Sequence, residues 1–406
     1  EALGNVESYY YQGTRFIAEV ELELIGKMKE FLGCSKVELR LISGMMANTT
    51  VFSGLVDYLN RVDRRVEPRR LRNVMNHHMN RGGHLSAQTM GALKDYVAID
   101  PVTEKGAVVH FPVLPANPYQ IDLVKTGELI AEHKPDLFIL GKSMLLHPEP
   151  VKELAEMVAH LKPRPIIIYD AAHVLGLLGP HFQEPLSEGA DIITASTHKT
   201  FFGTQRGLIA SNISEGTDFF DLWESIVRRA FPGSVSNHHL GTLLGLLIAT
   251  YEMNTYGREY QRQVIANAKA FALALKEKGL QVEGDPKVNY TETHQVVLRA
   301  GHAKGAEVAD RLEKSNIIVN YQALPDDESF LASSGLRTGV QEMTRFGMKE
   351  ADFEELAEYM ATVIANKKDV SPEVSRFREK FTQMHYCLSE EQAKPLIEEL
   401  IDSLIK

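Results

Sequence analysis

Between about residues 35 and 210, short apolar runs alternate with longer amphipathic stretches, which is the pattern of βαβ units around a mostly parallel sheet. Strands are expected at Val37 to Ile42, Val74 to Asn76, Tyr96 to Ile99, Leu137 to Gly141, Ile166 to Tyr169, Ile192 to Ala195 and Gly207 to Ala210. Helices are expected between them at Met45 to Leu59, Val124 to His133 and Val151 to Leu161. Upstream, Val20 to Leu32 carries apolar residues at helical spacing and stops at Gly33, a residue that readily takes the backbone of a helix end.

From about residue 240 the pattern changes to one long helical stretch, Leu240 to Lys278, followed by strands near Gln295 to Arg299 and Ile317 to Asn320. The tail from Ser375 to Lys406 has the composition of charged helices, with a break near His385-Tyr386-Cys387. A length of 406 residues suits one large and one smaller domain. The expected division is an N-terminal arm and helix over 1–33, a large domain over 34–240, and a connecting helix with a small C-terminal domain over 241–406.

Composition narrows the possibilities. Apolar residues make up 44% and charged residues 24%, an ordinary balance for a globular chain. Apolar runs such as Leu243 to Thr250 fall short of the roughly 20 residues that span a bilayer, so no membrane partner is expected. The start, Glu1-Ala2-Leu3-Gly4-Asn5, lacks the features of a secretory signal, and the two distant cysteines, Cys34 and Cys387, fit a reducing cytoplasm. A net charge of −10 argues against nucleic acid as a partner. The arginine-rich run from Arg61 to Arg72 is assigned to a solvated connection with internal ion pairs rather than to an anionic partner. The pairs His77-His78 and His238-His239 lack an accompanying ligand cluster, and no metal is expected.

The most informative segment is Asp191 to Ser211, where a strand delivers Ser196-Thr197-His198-Lys199 and then a glycine-containing turn. A lysine at the end of a buried strand is costly if charged and unpaired. Attachment of a carbonyl cofactor as a Schiff base gives that burial a chemical reason, although a lone strand-end lysine is more often a surface residue. About thirty residues upstream, Asp170 ends the run Ile166-Ile167-Ile168-Tyr169 and is followed by Ala171-Ala172-His173. A carboxylate there sits where α/β sheets bind ligands and can hold a pyridine nitrogen protonated; alone, it is as readily a helix cap. His173 could contact an oxygen on the same ring or be an ordinary loop histidine.

Three weaker segments complete the set. Ser43-Gly44-Met45 turns from a strand into a helix, whose free N–H groups and dipole make a phosphate cradle. In Arg81-Gly82-Gly83-His84, two glycines allow close backbone approach and leave the His84 imidazole to lie over a flat ring. Late in the chain, Arg337 in Ser334-Gly335-Leu336-Arg337 offers a planar fork for a substrate carboxylate, against the default of a surface salt bridge.

Together these segments resemble serine hydroxymethyltransferases, a family of fold-type I pyridoxal-phosphate enzymes. The family's Thr-His-Lys-Thr resembles Thr197 to Thr200, and its Asp-x-Ala-His resembles Asp170 to His173. Its Ser-Gly-x-x-Ala-Asn resembles Ser43 to Asn48, its Gly-Gly-His-Leu resembles Gly82 to Leu85, and its Ser-Gly-Ile-Arg resembles Ser334 to Arg337. The resemblance implies an aspartate-aminotransferase-like α/β fold, with a large central mixed, mostly parallel sheet and a smaller C-terminal α/β domain. It implies pyridoxal 5′-phosphate as cofactor, with Lys199 carrying it, Asp170 on the pyridine nitrogen and His84 stacked on the ring. Ser43, Gly44 and Met45 then bind the phosphate, Ser143 and His173 the ring oxygen, Ser196 and His198 flank the lysine, and Arg337 holds the substrate carboxylate. It further implies a homodimer with shared active sites, in which Gly233, Tyr9 and Tyr11 reach the partner's site.

The chain departs from the family where folate binds. Aligned on Gly13, the family's folate-site glutamate falls on Tyr9 and a tyrosine on Ile17, with Glu7 able to substitute only through a bulge. The folate-contacting asparagine falls on Gln322, and Ser234 to His238 replace the Ile-Gln-Gly-Gly-Pro stretch. An intact cofactor site beside an altered folate site is similar to the folate-independent branch, the L-threonine transaldolases. The expected activity is therefore cleavage of the Cα–Cβ bond of threonine or a similar β-hydroxy-α-amino acid, with transfer of the glycyl unit to an aldehyde. His84 would move the hydroxyl proton, since an imidazole titrates near neutrality. The alternative is a hydroxymethyltransferase acting on serine or an α-methyl amino acid with tetrahydrofolate. A catalytically silent family member is disfavoured by intact Lys199, Asp170 and Arg337.

Overall fold

Parallel strands buried on both faces need continuous apolar runs, and the strands Leu137–Leu140 and Ile166–Asp170 are buried at every position. A computed structural model describes residues 2–3, 6, 9–62 and 68–405; Glu7 and residues 63–67 of the arginine-rich run lie outside them. Seven strands form the central sheet in the order Lys36–Glu38, Phe202–Ser211, Ile192–His198, Ile166–Asp170, Leu137–Leu140, Val74–Asn76 and Val108–His110. The last five of these run parallel, and Phe202–Ser211 is antiparallel to both its neighbours. That reversal follows from the short turn between Ile192–His198 and Phe202–Ser211, because tight connections join only antiparallel strands. Lys199 occupies this turn, at the carboxyl end of the parallel strands, where open α/β sheets place their ligands.

Two strands expected in the central sheet are corrected. Tyr96 to Ile99 is not a ladder strand; Val97 makes a single bridge to Leu71, and Ile99 one to Gly106. The edge strand is Val108–His110 instead, which pairs with Val74–Asn76. Of Val37 to Ile42, only the start is in the ladder, as Lys36–Glu38; beyond it, Arg40 turns its N–H and guanidinium onto the Glu38 carboxylate. The helices Gly44–Leu59, Leu123–His133 and Val151–Val158 lie where the periodicity puts them.

The helix Gly241–Glu277 has 37 residues, about 55 Å of axis, and packs against the Arg15–Leu32 helix, the strand Phe202–Ser211 and the helix Glu350–Asn366. It leads to a second, antiparallel sheet in the order Gln281–Val282, Gln295–Arg299, Gly335–Gly339, Asn320–Gln322. The strand expected at Ile317 to Asn320 begins only at Asn320, and Gly335–Gly339 carries Arg337. The tail holds the helices Ser371–Arg378 and Glu390–Ile405, with His385 to Cys387 between them. None of the described helices is long and apolar enough to cross a membrane.

Candidate active site

The helix Gly44–Leu59 starts beside the strand that leads to Lys199. Ser43 caps it, its hydroxyl accepting the Met46 N–H at 3.1 Å. Gly44 is in close approach, since a Cβ there would overlap Ser196 Oγ unless that side chain shifted. Met45 is 48% exposed and His198 is also exposed, so the cradle opens to solvent on one side. Further along this helix, Asn48 is buried, with Nδ2 donating to Asp170 Oδ2 at 2.7 Å and to Ser86 Oγ at 2.7 Å. Its Oδ1 accepts the Thr194 hydroxyl at 2.6 Å.

Asp170 ends its strand, 3% exposed, and its other oxygen accepts the Ala172 N–H at 3.0 Å. His84 Nδ1 lies 2.7 Å from Asp170 Oδ2. Burial works to raise this carboxyl, yet His84, Asn48 and the Ala172 N–H together hold it below the ordinary carboxylate range. The His84 ring also stacks on His173, with centroids 5.3 Å apart and planes 23° from parallel. The resemblance implies separate cofactor contacts for Asp170, His84 and His173; in the structure Asp170 and His173 both lie against His84. Burial, with His84, Lys199, Arg337 and His294 nearby, pushes the His173 imidazole well below its usual range.

Lys199, His173 and His198 share a cavity of about 540 Å³ with Phe202, Tyr260, His294, Asn320 and Arg337. Burial holds the Lys199 ammonium below its usual range; Asp170 opposes the shift and Arg337 adds to it. Arg337 Nη1 donates to Ser143 O at 3.0 Å. Among the described residues no carboxylate pairs with this guanidinium, so it differs from the surface salt bridge that is the default for an arginine. The Ser143 hydroxyl itself donates to Gly82 O at 2.9 Å.

Other expected site residues lie apart from this cavity. Gly233 is exposed in the turn Arg229–Ser234. Tyr11 is exposed and packs edge-on against Tyr10, with centroids 5.5 Å apart. Tyr9 is half-buried, its hydroxyl sealed from solvent without a hydrogen-bond partner among the described residues. In the sequence Asn48 is marked only as the end of the Ser43 to Asn48 motif, and His294 lies in none of the five motifs and enters the cavity only through tertiary folding.

Most of the chain has known counterparts. The family profile described as serine hydroxymethyltransferase matches residues 2–360. A serine hydroxymethyltransferase of Staphylothermus marinus is 39% identical over 386 residues, covering 93% of this chain and 81% of that protein. Another from Thermococcus gammatolerans is 40% identical over 387 residues, covering 93% and 84%, and one from Archaeoglobus fulgidus is 37% identical over 400 residues, covering 97% and 84%. Among solved structures, the L-threonine transaldolase of Pseudomonas fluorescens matches with a TM-score of 0.80 at 27% identity, covering 97% of this chain and 84% of that one. With the family profile spanning nearly nine-tenths of the sequence and relatives near 40% identity, the chain belongs to the serine hydroxymethyltransferase family of pyridoxal 5′-phosphate enzymes.

Proposed function

We propose that this enzyme makes and breaks the Cα–Cβ bond of serine, passing the one-carbon unit to a folate. The names of the relatives at 37–40% identity support this reading over the transaldolase expected from the folate-site departures. The observation that carries the chemistry is the convergence, in one cavity, of a half-buried lysine and an arginine without a carboxylate partner among the described residues.

The residues fit pyridoxal 5′-phosphate: a buried carboxylate kept ionised, a helix N-terminus with a glycine pressed to Ser196, and an amine at the end of the same strand. When bound, that group supplies an electron sink next to the amino acid's Cα. Lys199 is its attachment point, and a depressed pKa leaves more of the amine nucleophilic at neutral pH. Asp170 holds a proton on the ring nitrogen. Ser43, Gly44 and Met45 offer N–H groups to the phosphate, with Ser196 and His198 alongside. His84 would stack on the ring and move the β-hydroxyl proton, His173 and Ser143 would contact the ring oxygen, and Arg337 would orient the substrate through its carboxylate. Gly233, Tyr9 and Tyr11, outside the chain's own cavity, are proposed to complete the site of a second copy in a homodimer.

A second reading, an L-threonine transaldolase, is favoured by Tyr9 at the folate-site glutamate's position, by Gln322, and by the likeness to the Pseudomonas fluorescens enzyme. Purified protein given L-serine with and without tetrahydrofolate, and L-threonine with an aldehyde panel, separates the two. Folate-dependent loss of serine supports the first. Acetaldehyde release from threonine that ignores folate, with glycyl transfer to an added aldehyde, supports the second. Turnover of neither amino acid overturns both.

A further inference from the structure

The segment that leads into the strand Gln295–Arg299 is fixed on both sides of His294. Thr293 Oγ1 donates to Leu145 O at 2.6 Å. Gln295 uses both ends of its amide, Oε1 accepting the Leu145 N–H at 3.0 Å and Nε2 donating to Ser143 O at 2.9 Å. The carbonyl of His294 accepts the Val340 N–H at 3.0 Å. Ser143 O, which anchors Gln295, also accepts Arg337 Nη1. His294, just before the strand Gln295–Arg299, and Arg337, on the antiparallel strand Gly335–Gly339 beside it, are therefore positioned from one frame.

The His294 side chain makes no use of this frame. The residue is 4% exposed, and its Nδ1 is buried without a hydrogen-bond partner among the described residues. Buried polar atoms are nearly always paired, and an exception calls for an explanation. The ring lines the cavity that Lys199 and Arg337 share. Burial, with Arg337 adding, pushes the imidazole down to about 3, so at neutral pH it carries one N–H donor and one acceptor. Beside a guanidinium, an uncharged donor adds direction to the binding of an anion without adding a second like charge.

We propose that His294 is a second substrate-binding residue, which donates a hydrogen bond to the amino acid's carboxylate beside Arg337 and so fixes how Cα is presented to Lys199. The inference rests on the reading that Arg337 receives this carboxylate.

Glycine binding to the holoenzyme, followed by the absorbance of the bound cofactor, measures affinity without turnover. His294→Phe keeps a flat aromatic ring, somewhat larger, and removes the N–H; its Kd for glycine is expected to rise roughly ten- to a hundredfold, the effect of one hydrogen bond to a charged group. KM for the amino acid rises with it while kcat at saturation changes far less, as for an interaction shared by ground and transition states. His294→Asn, which restores a donor, recovers part of the affinity. Where the phenyl ring does not fold, His294→Ala gives the same comparison with the asparagine variant. Arg337→Lys separates the two levels of the argument. If it weakens glycine binding while the donor-free His294 variants bind like wild type, the His294 inference is overturned and the carboxylate reading stands. If Arg337→Lys also binds like wild type, the carboxylate reading itself fails.

Discussion

Asn48, on the helix that opens the phosphate cradle, hydrogen-bonds at 2.7 Å to the carboxylate of Asp170, 122 residues later in the chain. The contact ties the two ends of the proposed cofactor site into one unit. Because Asn48 also takes the Thr194 hydroxyl and reaches Ser86, its amide is held in one orientation, with the N–H side toward the acid.

Substitution of Asn48 tests whether this contact sets the charge on Asp170. Asn48→Ala removes a donor to a carboxylate, a bond worth about 1.5–3 kcal/mol, and is expected to weaken cofactor binding about tenfold or more. Asn48→Asp has nearly the same shape but sets a second acid against the first, which raises the pKa of one of them. It should therefore bind cofactor more weakly than the alanine variant. Equilibrium titration of the apoenzymes with pyridoxal 5′-phosphate ranks the three proteins, and an aspartate variant that equals wild type would refute the role.

Lys199→Ala removes the amine that the proposal makes the attachment point. Loss of the bound chromophore after dialysis is expected, with turnover down by about a hundredfold or more. Chromophore and turnover both unchanged would mean that another residue holds the cofactor.

Gly44 and Ser196 offer a double-mutant cycle. A Cβ on Gly44 overlaps Ser196 Oγ, so Gly44→Ala should force the helix start away from the strand and weaken phosphate-dependent cofactor binding. Ser196→Ala removes the atom in the way. The double variant should then bind cofactor more tightly than Gly44→Ala alone, a coupling of about 0.5–3 kcal/mol for touching residues. Additive losses in the cycle would show that the glycine is needed for some other reason.

How much of this was legible in the sequence depended on the range of the interactions involved. Ile166 to Tyr169 announces a central strand because burial on both faces leaves no polar position in the run. Tyr96 to Ile99 has the same apolar character yet forms single bridges, while Val108–His110, half exposed at the sheet edge, is marked only by the short run Ala107-Val108-Val109. Lys199, Asp170 and Arg337 were legible because each sits in a local motif. The Asn48–Asp170 bond and the place of His294 in the cavity were not, since the first joins residues 122 apart, the second sets His294 against Lys199 and Arg337 on other elements, and both depend on the packing of the strands. His84 was legible as a ring-stacking residue, but not its 2.7 Å pairing with Asp170.

A buried cluster behind the hairpin that carries Lys199 yields a pH prediction of determinate sign. Glu21, 3% exposed, faces His238 at 3.6 Å, and Arg206 Nη2 lies 2.9 Å from His238 Nδ1. Burial, with Glu38 adding and Arg40 and Arg206 opposing, raises the Glu21 carboxyl from 4.5 to about 7. Between those values the folded protein holds a proton that the unfolded chain has lost, so Glu21 makes stability fall as pH rises from 4.5 to 7. His238 acts in the opposite sense: burial, then Arg206 and Arg40, lower it from 6.5 to about 4, so its contribution is lost as pH falls from 6.5 to 4. The two slopes offset one another over most of this range. Glu21→Gln removes only the first, and should gain about 3 kcal/mol on wild type between pH 4.5 and pH 8. It should also lose stability on acidification where wild type is nearly level. Urea unfolding of both holoproteins at pH 4.5, 6 and 8 measures this. A difference between variant and wild type that is the same at pH 4.5 and pH 8 would show that Glu21 is already ionised in the folded protein at acid pH.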